Sequence, residues 1–207
     1  MTKRTVKIYS RFERLWHWSQ AILIIALGFT GFCVHGTYRL QTFEESYKIH
    51  RTLGWALVIL FLFAVFWHFT TGQWKQYLPT RQKISKQIRY YTVGMFRGEP
   101  HPYEKTTRIK LNPLQRITYL GFLVLIFPVM ATTGLMMIFY DQVKLWIPVH
   151  LETLAFIHTV AAFLLLSFFI IHVYMTTTGH TVFENIKAMI TGYEEVVVED
   201  EGEMSVA

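Results

Sequence analysis

Nine histidines occur in a chain of 207 residues that is 52% hydrophobic and only 16% charged. Six of them, His17, His35, His50, His68, His158 and His172, lie at or inside the ends of long apolar runs, where an ionisable side chain is costly and marks a function. Neutral imidazole is the commonest protein ligand for metals, so ligation of a metal or a haem iron is the first chemistry to weigh. His101, His150 and His180 fall in loops or at interfaces, where solvation explains them.

Spacing narrows the chemistry. His158 and His172 are 14 residues apart, which on a helix is about 21 Å and close to four turns, so both project from nearly one face. A six-coordinate haem takes one imidazole on each side of its ring, supplied by facing helices at one depth. If successive helices alternate in direction, His172 is level with His17 and His68, and His158 is level with His50 and His35. Two b haems fit this pattern, and depth alone leaves two partners open at each. Gly28, Gly31 and Gly54 suit either close approach of a porphyrin or simple helix packing. The single cysteine, Cys33, excludes an internal disulfide, a C-x-x-C cluster and covalent haem attachment through C-x-x-C-H.

The elements that must carry these histidines are four apolar runs, at about 15–34, 53–69, 117–140 and 154–176, none holding a Lys, Arg, Asp or Glu. Each approaches the ~20 residues a helix needs to cross the hydrocarbon of a bilayer, and none shows the period-two alternation of barrel strands. The fold class expected is therefore an all-α membrane protein, a four-transmembrane-helix bundle binding two b haems. The first run exceeds a typical signal-peptide core and lacks a small-residue cleavage site after it, which favours an uncleaved helix.

Charge is split along the chain: residues 1–116 carry 18 basic and 5 acidic side chains, and residues 117–207 carry 2 and 9. The basic residues flank apolar runs and form no nucleic-acid module, so topology explains them better. Lys3, Arg4, Lys7, Arg11 and Arg14 precede the first run, and Arg81, Lys83, Lys86, Arg89 and Arg97 lie in the segment 72–113. The positive-inside rule then puts both termini and that loop in the cytoplasm, in a multi-pass protein of a bacterial inner membrane. The expected organisation is a basic segment at 1–14, a helical core at 15–180 and an acidic tail at 181–207, read as disordered or as a partner contact. Within the loop, Ile84, Ile88, Tyr91 and Met95 recur at helical spacing among basic residues, as in a surface-lying amphipathic helix. Trp16, Trp18, Trp67, Trp74 and Trp146 read as an interfacial belt.

The segments Arg11–Trp18 (RFERLWHW), Ile49–Gly54 (IHRTLG), Asn112–Arg116 (NPLQR) and Ile157–Met175 (IHTVAA followed by IHVYM) resemble those of a known family. It comprises the dihaem cytochrome b subunits that anchor periplasmic molybdoenzymes, such as formate dehydrogenase gamma and thiosulfate reductase cytochrome b. The membrane cytochrome of nickel–iron hydrogenases is a more distant relative. The resemblance implies haem axial ligation by His17 with His172 on the cytoplasmic side and by His50 with His158 on the periplasmic side. His35 and His68 are left over as interfacial or propionate-contacting side chains. It further implies a quinone, menaquinone or ubiquinone, held near Asn112, Gln115 and His172, and haem propionates near Arg11 and Arg14. Pro113-Leu114 departs from the formate dehydrogenase pattern, which has a small residue before the glutamine. Asn112-Pro113 also reads as a plain helix start, with Asn at the N-cap and Pro at N1.

The function expected is electron transfer between the membrane quinone pool and a periplasmic iron–sulfur or multihaem cytochrome subunit, with substrate chemistry in a separate catalytic subunit of a respiratory oxidoreductase complex. The direction of flow stays open, with a slight lean to quinol oxidation. The competing expectation, a non-redox membrane protein binding or transporting metal ions, calls for histidines or carboxylates within one helical turn of each other, and these runs hold no such pair.

Overall fold

The computed structural model describes residues 2–80, 84–99, 110–179 and 181–198. Arg81, Lys83, His101, His180 and the last nine residues of the acidic tail lie outside the described residues.

Four helical spans are long and apolar enough to cross a membrane: Arg11–Val34, Phe43–Thr70, Pro113–Ile138 and Leu151–Thr176, with mean hydropathies between 1.5 and 2.5. The first two are the single helices α1 (Arg11–Val34) and α2 (Phe43–Thr70). After α3 (Ile84–Arg89), the third span is built from α4 (Pro113–Gly121) and α5 (Phe127–Ile138), joined by a wider π turn over Phe122–Ile126. Pro128 explains the wider turn, because it has no N–H to give and its ring presses on the carbonyl four residues back. A single turn, α6 (Tyr140–Val143), leads to α7 (Leu151–Thr176), and α8 (Glu184–Thr191) follows. At 26 residues α7 is about 39 Å long, ample for ~30 Å of hydrocarbon.

Three helix starts are fixed by the same reciprocal device, in which the capping side chain bonds the N3 backbone N–H and the N3 side chain returns to the cap. Ser10 and Glu13 do this for α1, at 3.2 and 2.7 Å. Thr42 and Glu45 do it for α2, at 3.3 and 3.1 Å. Asn112 and Gln115 do it for α4, at 2.8 and 3.0 Å. The Thr42 cap is why α2 begins ten residues before the apolar run at 53, since Glu44, Glu45 and Lys48 are polar yet helical.

The chain divides into two compact units, one of residues 1–14, 76–117 and 173–207, the other of residues 15–75 and 118–172. The second unit holds the bulk of the four spans. Its aromatic contacts include Phe61 stacked on Phe127 at 3.7 Å and Phe122 on Phe168 at 5.3 Å. Few span residues are buried inside the protein, and those that are tend to be small or polar, such as Thr30, Cys33, Ala64, Thr133 and Ala161. Large apolar side chains face outward, as expected where lipid is the solvent.

The first unit differs from the expected tail. Strand β1 (Thr2–Lys7) pairs antiparallel with β2 (Tyr193–Val198), with Thr5 opposite Glu195 and Val6 opposite Glu194. The four-helix membrane fold is as expected, with one two-stranded ribbon added to it, and the acidic segment is helix and strand through residue 198. The ribbon joins a basic strand to an acidic one rich in valine, so charge and β propensity both favour it. Gly192, at φ 90°, makes the left-handed turn that ends α8 and opens β2. Glu13 also accepts a hydrogen bond from Lys110 Nζ at 2.6 Å, an ion pair nearly withdrawn from solvent.

Candidate functional site

Two pairs of imidazoles meet inside the second unit. His17 on α1 faces His172 on α7, with ring centroids 6.1 Å apart and planes tilted by 52°. His50 on α2 faces His158 on α7, with centroids 6.4 Å apart and planes at 76°. An imidazole nitrogen about 2.0 Å from a metal puts its ring centroid roughly 3.1 Å from that metal. Two imidazoles on opposite sides of one iron therefore have centroids about 6.2 Å apart, and both pairs have that spacing. Imidazole pairs on facing membrane helices are also the right donor chemistry for a haem iron.

The remaining histidines are differently engaged. His35 is exposed at the end of α1. His68 bonds through Nδ1 to the Ala64 carbonyl at 2.7 Å, and its ring lies edge-on to Trp16 at 5.0 Å. His150 is exposed.

The His50/His158 pair is held by threonines that reading the sequence missed. Thr30 Oγ1 lies 3.0 Å from His50 Nδ1, and Thr133 Oγ1 lies 2.9 Å from His158 Nδ1. Each threonine donates its one hydroxyl hydrogen back along its own helix, Thr30 to Ala26 O at 2.8 Å and Thr133 to Val129 O at 2.6 Å. With its hydrogen so placed, each oxygen can accept from the Nδ1 facing it, an arrangement that would leave the Nε2 lone pair free to ligate. A glycine follows each threonine: a Cβ at Gly31 would lie 3.5 Å from His50 Cε1, and one at Gly134 3.4 Å from His158 Cε1. The signal available in the sequence was the Thr-Gly pair repeated in the first and third spans. A Cβ at Gly28 or Gly54 meets nothing within 4 Å, so no neighbouring helix requires a glycine at either position.

The His17/His172 pair is held otherwise. Tyr119 OH lies 3.3 Å from His172 Nδ1, and the Phe168 ring stacks on His172 at 6.0 Å and 12°. His17 Nδ1 is buried with no hydrogen-bond partner among the described residues, and Trp18 meets its ring edge-on at 5.2 Å.

Asn112 and Gln115 come together in the first unit, where their side chains are engaged in the α4 cap, and Asn112 Nδ2 also donates to Tyr91 OH at 3.2 Å. Burial raises the Tyr91 phenol above its usual range, which keeps it neutral. His172, the third residue expected at a quinone, belongs to the second unit. Arg14 donates through Nη1 to the Ile190 carbonyl, its buried Nε has no partner among the described residues, and Arg11 is exposed.

Four apolar spans carrying two facing imidazole pairs have the architecture of a helical-bundle membrane cytochrome. The chain belongs to the prokaryotic cytochrome b561 family, which it matches over residues 8–192. It is also 33% identical over 200 residues to YdhU of Escherichia coli (strain K12), a protein described as a candidate cytochrome, across 91% of this chain and 74% of that one. The family implies haem b as cofactor and electron transfer as function.

Proposed function

We propose that this cytochrome holds two b haems, one between His17 and His172 and one between His50 and His158, and carries electrons across the membrane between the quinone pool and a redox partner. The observation that carries the reading is the pair of centroid spacings, 6.1 and 6.4 Å, both within a few tenths of the bis-imidazole value. Haem b, when bound, supplies reversible one-electron chemistry with a potential set by its ligands and surroundings. The chain supplies the rest: imidazoles fixed on rigid spans, hydroxyls that orient them, and an apolar shell that excludes water. On α7 the two histidines are 14 residues apart, about 21 Å along the axis, which sets one pair towards each side of the bilayer.

Within this reading the chain is an electron-transfer subunit of the kind found with formate dehydrogenase and thiosulfate reductase, and substrate catalysis resides in a partner. The basic segments favour both termini on the cytoplasmic side of an inner membrane, where the quinone would exchange on the side of His172. The periplasmic pair, His50 and His158, then faces an iron–sulfur or multihaem cytochrome subunit. The metal-transport reading gains no observation: among the described residues no group of three or more His, Cys, Asp or Glu side chains could hold an ion.

The test is a dithionite-reduced minus oxidised spectrum of the detergent-purified chain made under haem-replete conditions, with a pyridine haemochrome assay. Two b haems per polypeptide are expected. A well-folded sample free of haem would overturn the proposal.

A further inference from the structure

We infer that Thr30 and Thr133 are positioning residues that hold His50 and His158 as Nδ1–H tautomers and make the site between them the lower-potential one of the two. The inference rests on the ligand reading above and goes beyond it by assigning an order to the sites.

One device occurs twice in the protein. On α1, Thr30-Gly31 lies against His50 of α2; on α5, Thr133-Gly134 lies against His158 of α7. In both, the hydroxyl hydrogen is spent on the carbonyl four residues earlier, so the oxygen has only acceptor capacity left for the ring. An Nδ1–H that donates to an oxygen fixes the ring's rotation and leaves Nε2 as the ligating atom. It also makes the imidazole a more basic donor, which favours ferric over ferrous iron and lowers the potential. At the other pair the only contacts to Nδ1 atoms are the longer 3.3 Å one from Tyr119 to His172 and none to His17 among the described residues. The difference in support therefore translates into a difference in potential.

Valine is nearly isosteric with threonine and removes only the acceptor. The experiment compares the purified full-length chain with Thr30→Val, Thr133→Val, Thr30→Ser, Thr133→Ser and, in parallel, His158→Ala. Haem per chain is read by pyridine haemochrome and midpoints by optical potentiometric titration. The valine variants should raise the lower midpoint alone, by about tenfold in its reduction equilibrium, about 59 mV for one electron, or else lose haem from that site. The serine variants, which keep the hydroxyl, should match the parent chain in both readouts. Valine variants that keep both haems with both midpoints unmoved would overturn the inference, as would a shift confined to the higher midpoint or serine variants that behave like valine. A His158→Ala chain that keeps every haem would instead overturn the ligand reading beneath it.

Discussion

The two imidazole pairs share α7 and nearly the same ring spacing, yet their outer nitrogens are held very differently. His50 and His158 each meet a threonine oxygen at 3.0 and 2.9 Å, whereas His172 meets a phenol at 3.3 Å and His17 Nδ1 meets nothing among the described residues. Ring orientation follows suit, with planes at 76° in one pair and 52° in the other. Identical ligands need not give identical sites, because neighbours that never touch the metal set the tautomer, rotation and basicity of those that do.

The largest effects are expected at the ligands themselves. His50→Ala and His17→Ala should each reduce haem from two per chain to one, measured by pyridine haemochrome on monodisperse protein. Next comes clearance at Gly28, where a side chain meets no protein atom. Gly28→Leu should lower haem content without impairing insertion, seen as undiminished chain in the membrane fraction but less than two haems per polypeptide. A smaller effect is expected at Tyr119. Tyr119→Phe removes a single long contact from His172, so the higher midpoint should move by less than the shift expected at the threonines, and the lower one should stay. Least of all is expected from Thr132→Val, since that exposed hydroxyl bonds only its own helix, to Pro128 O at 2.6 Å. Both midpoints should be unchanged in the same titration, which separates a threonine facing an imidazole from its neighbour facing away.

Much of this arrangement could be read from the chain. A bilayer admits only self-satisfied helices of a given length, so four uncharged runs announce four spans, and histidines at matching depths announce ligands. Depth could not choose between His17 and His68 opposite His172, because rotation about a helix axis decides that. His68 turns instead to its own Ala64 carbonyl. Thr30 and Thr133 were hidden because a threonine in a membrane helix ordinarily bonds back to the preceding turn, and these do that as well. The β1–β2 ribbon was missed for a different reason: its strands pair across nearly the whole sequence, Thr2 with Val198, and no local pattern reports so distant a partner. The early start of α2 is legible in Thr42-x-x-Glu45, a polar capping signal that lies outside the apolar run.

Haem counts in double variants decide which histidines share an iron. His17→Ala/His172→Ala removes both ligands of one proposed site, so it should retain one haem per chain, as should His50→Ala/His158→Ala. His17→Ala/His158→Ala removes one ligand from each and should retain none. A chain of that last kind still holding one haem, with the first double variant holding none, would contradict the pairing.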